Sequence, residues 1–309
     1  MIKSMFSGVS GLRAHQAKMD VIGNNIANVN TFGYKAGRAT FRESIYQTVS
    51  GSSAGSDTFG GRNPSQIGYG SKIGSVDLMF SSGSFSPTDS PTDCMVDGNG
   101  FFLVGTKTAG EPDGLNPGLD GEVSQLDQLT LTRVGDFRFD GDGYLIDSSG
   151  YVVYGFVNEA GGELADDDLT TLKPIRIPGE AWADDADSQR MNLNSIRIDD
   201  KGNVVGIDAD TKEIVTVAKL ALANISNPNA LEKTQGPYYS IIANAGKTAA
   251  FGAGDGGTGQ IMSNGLEMAN VDLAKEFSEM ITTQRGFQAN TRIITVSDEM
   301  LQELISMKR

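Results

Sequence analysis

Cysteine and histidine occur once each in this 309-residue chain, aromatic residues make up only 7%, and no long uninterrupted apolar run is present. Each scarcity removes a class of function. Cys94 alone forbids an intramolecular disulfide, and alone it suggests a reducing compartment or a fold that needs no staples. No basic residue lies close to it in Pro91-Thr92-Asp93-Cys94-Met95-Val96 to lower its pKa, so it reads as a small packed hydrophobe. His15 has no His or Cys companion for zinc and no GxSxG elbow to serve, and it reads as a surface or interface residue. Without an apolar run of about 18 residues, no transmembrane helix is expected. Basic residues are outnumbered 25 to 39, for a net charge of −14, which argues against binding nucleic acid or an anionic membrane. The N-terminus, MIKSMFSGVSGLRAHQ, also lacks the apolar core and cleavage site of a secretory signal, so composition alone points to the cytoplasm unless another export route exists.

What is present is glycine, with 39 residues, and a hydrophobic fraction of 39%. That glycine load favours short strands and turns over a compact helical bundle. Three regimes follow one another. In the first, Met5, Leu12, Met19 and Ile26 recur every seven residues, with Phe6, Val9 and Ile22 flanking that line. Such a repeat predicts a helix to about Val29 that seals one apolar stripe against a neighbour. Gly8, Gly11 and Gly23 each weaken it by about 1 kcal/mol relative to alanine, so it needs partners.

The second regime, about 30–261, is polar and turn-rich, with a small-residue loop at 50–61. Apolar, β-branched runs at 131–139, 144–146, 151–156, 195–198, 204–207 and 214–223 are split by Gly/Asp/Asn turns, which predicts antiparallel hairpins. Phe137-Arg138-Phe139-Asp140 before Gly143 is echoed by Ile196-Arg197-Ile198-Asp199 before Gly202. In the third regime Leu266, Leu273, Met280, Phe287, Ile294 and Leu301 keep seven-residue spacing without a proline, predicting a helix of roughly 60 Å. Its second seam carries Phe277 and Ile305 but also Gln284, Thr291 and Asp298, which suits a helix with several neighbours better than a two-stranded coil.

No stretch carries recognisable catalysis. Asp140-Gly141-Asp142-Gly143 resembles part of a calcium loop, but strand residues follow where further oxygen donors would stand, so it reads as a hairpin turn. The acidic runs at 166–168 and 184–185 read as solvated loops rather than a glycosidase pair. The glycines at 252–259 lack the ending of a phosphate loop and read as a connector. No catalytic residue, cofactor or metal ligand is expected. A hydrolase built on the middle region and a calcium-binding adhesin are the other classes weighed.

The segment Asn24-Asn25-Ile26-Ala27-Asn28-Val29-Asn30-Thr31-Phe32-Gly33-Tyr34-Lys35 resembles the signature of the flagellar rod and hook protein family. Physically, its asparagines weaken a helix interior, and Gly33 can take the left-handed turn that redirects the chain. Residues 263–309 resemble the family's C-terminal helix, and Asp97-Gly98-Asn99-Gly100-Phe101-Phe102 is similar in rod and hook members alike. Several stretches resemble hook versions more than rod versions: Thr283-Gln284-Arg285-Gly286-Phe287-Gln288-Ala289-Asn290, residues 8–13, 63–68 and 221–228. The resemblance is strong over about 1–105 and 263–309 and patchy between, where the middle is shorter than in longer hook proteins.

The resemblance implies an α+β fold in which N- and C-terminal helices pair as a coiled-coil rod. The expected division is an N-terminal helix (1–29), an extended connecting arm (30–75), a β-rich outer domain (76–261) and a C-terminal helix (262–309). It implies a non-enzymatic subunit of a self-assembling helical tube: the curved hook that transmits motor torque, or alternatively the distal rod. Assembly contacts are expected at Met5, Val9, Leu12, Met19, Ile26, Leu266, Leu273, Met280, Phe287, Ile294 and Leu301, with Asn30 and Gly33 in the arm. Implied partners are many copies of the same chain, the neighbouring distal rod, hook cap and hook–filament junction proteins, and the flagellar type III export apparatus. That apparatus would carry the unfolded chain outside without a cleaved signal, and neither nucleic acid nor membrane insertion is expected.

Overall fold

The computed structural model describes residues 2–55, 60–107, 115–118, 125–157, 171–177, 193–208 and 212–307. The chain forms two compact units. One comprises Met1–Val29, Ala36–Met79 and Val271–Arg309; the other comprises Asn30–Lys35 and Phe80–Asn270. The acidic runs at 166–168 and 184–185 lie outside the described residues.

The first unit holds two helices, α1 (Ile2–Ala27) and α2 (Leu273–Met307), and a two-stranded ribbon. The ribbon is built from β1 (Gly37–Glu43), β2 (Tyr46–Ser50), β3 (Ser65–Gly68) and β4 (Ser71–Leu78). β1 pairs antiparallel with β4 and β2 with β3, and Ser44 N to Gly70 O (2.8 Å) and Tyr69 N to Ile45 O (3.0 Å) carry the pairing across the breaks. Residues 37–78 therefore double back as one ribbon, where an extended arm was expected. Both of its edges and most of its residues are exposed, so cross-strand pairs and packing on α1 must hold it.

The helices start and stop for local reasons. At α2 the Asp272 carboxylate accepts hydrogen bonds from Ala274 N (2.9 Å) and Lys275 N (3.2 Å), an N-cap that satisfies two otherwise orphaned donors. The seven-residue apolar spacing suggests a helix from Leu266, but α2 begins seven residues later. Leu266 instead lies buried in the strand Gly265–Glu267, paired with Phe85–Pro87. Backbone pairing with a distant strand outweighs the local helical period there. The helix is thus about 52 Å long over its 35 residues.

The second unit is the β-rich body. Its main sheet has, among the described residues, the antiparallel order 193–198, 203–208, 214–220, 152–157, 101–105, 130–132, 238–240, 232–233, with further strands paired off this path. Phe101–Gly105 and Val152–Phe156 are buried at every position, the continuous apolar pattern of strands covered on both faces. Phe102, Val104 and Val153, with Leu145, Val204, Leu220, Leu222 and Ile261, belong to one core cluster, each large side chain contributing about 1.5–3 kcal/mol.

The expected hairpins are present: 137–139 pairs with 145–147 and 193–198 with 203–208. The echoed turns are alike. Gly143 N donates to Asp140 O and Gly202 N to Asp199 O, with φ of 77° and 76° at the glycines. A third member, Asp147 to Gly150, repeats the bond, and Asp147 Oδ1 accepts from Ser149 N and Tyr151 N as Asp140 Oδ1 does from Asp142 N and Tyr144 N. Lys107 Nζ binds Asp140 (3.2 Å) and Asp142 (2.9 Å), so an ammonium sits where a calcium loop would hold its ion. The architecture is therefore α+β, two terminal helices in contact flanking a β-rich body.

Candidate assembly surfaces

The helix pair is built on glycine. A Cβ on Gly8 would sit 3.3 Å from Ile294 Cγ1, one on Gly11 2.9 Å from the Asn290 side chain, and one on Gly286 2.6 Å from His15 Cε1. Further along, Lys18 Nζ meets Glu279 Oε2 at 2.9 Å, and Asn25 Nδ2 reaches Glu276 Oε1 at 3.3 Å. Numbers rise on α1 as they fall on α2, so the helices are antiparallel. The seam is small and polar: Thr283 and Ser297 are the buried residues of α2, and Gly8, Gly11, Ala14, Ile22 and Asn25 those of α1.

The ribbon packs on α1 through specific contacts. Asn25 acts as a strand edge, its Nδ2 donating to Gly37 O and its Oδ1 accepting from Gly37 N, both at 2.9 Å. His15 lies tilted against the Phe41 ring at 5.3 Å, and Lys18 Nζ stands 5.8 Å from the same ring. Burial, then the nearby Lys18 charge, push the His15 pKa down. An imidazole kept neutral suits packing between a glycine and an aromatic ring.

The residues expected as assembly contacts are distributed as follows. Met5, Leu12, Met19 and Ile26 are half-buried along α1, as are Met280, Phe287, Ile294 and Leu301 along α2. Val9 and Leu273 are exposed, and Leu266 is buried in the β-rich unit. Asn30 is exposed and Gly33 buried; both belong to the segment 30–35 that groups with the β-rich unit. Gly33 takes a φ of +66°, the left-handed turn its motif suggests.

Two sets of residues escaped the periodicity. Gly8 and Gly11 read as helix-weakening, and Gly286 carried no structural reading, yet the missing side chains of all three let the helices approach; the i, i+3 spacing of Gly8 and Gly11 is the signal. Gly23, by contrast, has open space around its Cβ position. Gly11→Leu is therefore expected to cost about 1–3 kcal/mol by overpacking and to lower exchange protection of α2 amides near Asn290 roughly tenfold or more. Gly23→Ala should stabilise by about 0.5–1 kcal/mol. Equal protection in the two variants would show that the glycine contacts are immaterial.

The second set is Ile293, Val296, Met300, Leu304 and Met307, all exposed. At 3.6 residues per turn they share one face of α2, which borders the seam at Ile293, whose Cγ2 lies 3.7 Å from the position of a Cβ on Gly8. An uncovered apolar stripe of that length marks an interaction surface.

The β-rich unit contains a buried ionic cluster. Lys35 Nζ meets Glu267 Oε1 at 2.6 Å, both side chains fully buried, and Arg133 Nη1 lies 3.5 Å from Glu267 Oε2. Glu267 also accepts from Gly83 N (2.8 Å); Lys35 donates to Ser81 O (2.9 Å), and Arg133 to Val96 O (3.1 Å) and Gly98 O (2.6 Å). Burial pushes the Lys35 pKa down against the pull of Glu267. Gly33 N donates to Glu267 O (2.8 Å), so the segment 30–35 is held to this cluster by side chain and backbone alike.

Among the described residues no group of His, Cys, Asp and Glu could hold a metal, and no helix is long and apolar enough to cross a membrane. Cys94 is fully buried, and burial raises its thiol pKa, which suppresses the reactive thiolate.

Comparison with known proteins gives these surfaces a context. A family profile described as "Flagella basal body rod protein" matches residues 5–35, and one described as "Flagellar basal body rod FlgEFG protein C-terminal" matches 262–307. The flagellar basal-body rod protein FlgG of Bacillus subtilis is 38% identical over 310 residues, covering both chains completely. FlgG of Buchnera aphidicola subsp. Schizaphis graminum is 32% identical, covering 98% of this chain and 99% of that protein. The flagellar hook protein FlgE of Borreliella burgdorferi is 28% identical over 442 residues, again covering both chains. With its helix pair, its β-rich body and full-length relatives of this kind, the chain belongs to the flagellar basal-body rod and hook protein family, as a non-enzymatic structural subunit of the flagellar axis.

Proposed function

We propose that this chain is the distal rod subunit, a homopolymer forming the straight shaft that passes torque to the hook. The observation that carries this reading is the end-to-end match of 38% identity with a rod protein over 310 residues. Matching the hook protein of Borreliella burgdorferi instead takes an alignment of 442 residues at 28% identity, well beyond the 309 residues of this chain. The doubled ribbon lends physical support. Two hydrogen-bonded strands docked on α1 resist sliding more than one unpaired strand would, as a straight shaft requires. The apolar positions along α1 and α2 then serve as contacts between copies, with other axial proteins at the two ends of the polymer.

The hook reading stands second, on the resemblance of Thr283–Asn290 to hook sequences. Fractionation separates the two. Detached hooks and hook-free basal bodies would be purified from the source bacterium and probed for this chain. It is expected in the basal-body rod and absent from hooks; recovery as the major protein of curved hooks would overturn the rod assignment.

A further inference from the structure

The first unit contains an open groove of about 660 Å³ that the helix pairing does not use. Phe6, Val9 and Arg13 of α1 form one wall, and Tyr69, Lys72 and Ile73 of the ribbon form the other. Phe6 is 62% exposed, large for an aromatic side chain on a wall otherwise ready to be covered. We infer that this groove receives the last turns of α2 from a second copy of the chain, an inference that rests on the axial-polymer reading.

Three observations converge on that occupant. First, the end of α2 is uncovered. Gly8 faces Ile294, and the turns of α2 beyond it carry Leu304, Ile305 and Met307, all exposed, the last at 74%. Second, the charges are complementary. Arg13 and Lys72 line the groove and Arg42 stands opposite Lys72 across the ribbon; none of the three forms an ion pair among the described residues. Glu299 and Glu303, one turn apart, border the stripe Val296–Met300–Leu304 and are likewise without ion pairs among the described residues. In a chain of net charge −14, an unpaired basic rim is a local exception. Third, the two surfaces differ. The chain's own α2 is already engaged with the Gly8–Gly11 flank of α1, so the groove can take another copy's helix end. A groove on one copy that takes a helix end from the next is a heterologous contact, which propagates as a filament instead of closing a dimer. The apolar stripe supplies the affinity and the exposed charges set register and direction, since such pairs add little strength themselves.

The test uses the full chain carrying Ile73→Cys and Leu304→Cys, expressed in the source bacterium, with basal bodies isolated and oxidised before non-reducing electrophoresis. Buried Cys94 stays silent. A ladder of dimers, trimers and higher species is expected, absent from either single substitution. Monomer alone from basal bodies that contain the chain would overturn the docking while leaving the axial role standing. A faster-migrating monomer would show the groove filled by the chain's own helix, also overturning it. Absence of the unsubstituted chain from basal bodies would sink the axial reading and the docking together. Charge reversal adds a second check that does not rely on cysteines. Glu299→Lys/Glu303→Lys should cut incorporation roughly tenfold, and adding Arg13→Glu/Lys72→Glu in the same chain should restore it. Reduced incorporation without restoration would count against the proposed pairing.

Discussion

Glu267→Ala is expected to lower the melting temperature of the β-rich unit by on the order of 10 °C, from a loss of about 3–5 kcal/mol. Among the described residues Glu267 is the anion paired with Lys35 and Arg133 in a fully buried cluster, and both of its carboxylate oxygens are engaged. Removing it leaves two cations facing each other without water. The site has no slack: Arg133 Nε and the Tyr239 hydroxyl are already buried without a hydrogen-bond partner among the described residues, and burial holds the Tyr239 pKa above its usual range. The cost should come from the orphaned charges rather than from the lost pair. Replacing all three residues together (Lys35→Met/Arg133→Met/Glu267→Met) should accordingly recover most of the stability. Calorimetry of the full chain distinguishes the two outcomes. A Glu267→Ala variant melting within 2 °C of the unsubstituted protein would contradict the cluster as drawn, since even about 1 kcal/mol moves a domain of this size by about 2–4 °C.

Gly33→Val should destabilise the same unit by about 2–4 kcal/mol, for two separate reasons. At φ +66° a β-branched side chain is strained by roughly 1–2 kcal/mol. The new Cβ would also stand 2.7 Å from Val134 Cγ2 and 3.1 Å from Val134 N; the latter is backbone and cannot simply rotate away. Overpacking of this kind costs about 1–3 kcal/mol. Gly33→Ala separates the causes: it keeps the strain and the nearest clash but omits the branch, and should lose less. Because Gly33 N donates to Glu267 O, combining Gly33→Val with Glu267→Ala should cost less than the two added together. Strict additivity in thermal melts would mean that backbone and carboxylate are not part of one structure.

Much of the architecture is legible in local patterns. The seven-residue spacing along 5–26 and 273–301 locates both helices because a helical face recurs at that interval whatever lies opposite it. The turns at Asp140, Asp147 and Asp199 are equally local. A carboxylate or carbonyl caps its own loop, and a glycine three residues on supplies the positive φ. The signature 24–35 points to the right family, and within it the full-length comparison favours the rod where short motifs favour the hook. A motif of eight residues samples one stretch of a helix, whereas the length of the middle region bears on the whole subunit.

What the spacing could not convey is which face of a helix meets what. Met5, Leu12, Met19 and Ile26 mark a face of α1 and are only half-buried, while the close seam runs through Gly8 and Gly11, whose value lies in atoms they lack. The return of 65–78 onto 37–50 depends on hydrogen bonds between backbones, which carry no side-chain signature in a ribbon exposed on most of its surface. Leu266 fits the helical period and is claimed by a strand because Phe85–Pro87, far away in the chain, offers it a partner. Lys35, Arg133 and Glu267 meet only when three distant segments fold together. Sequence by itself determined the elements whose stabilising partners lie within a turn or two along the chain. Tertiary structure alone decided the seams, the ribbon and the ionic cluster, because their free energy resides in contacts between segments that no local pattern brings together.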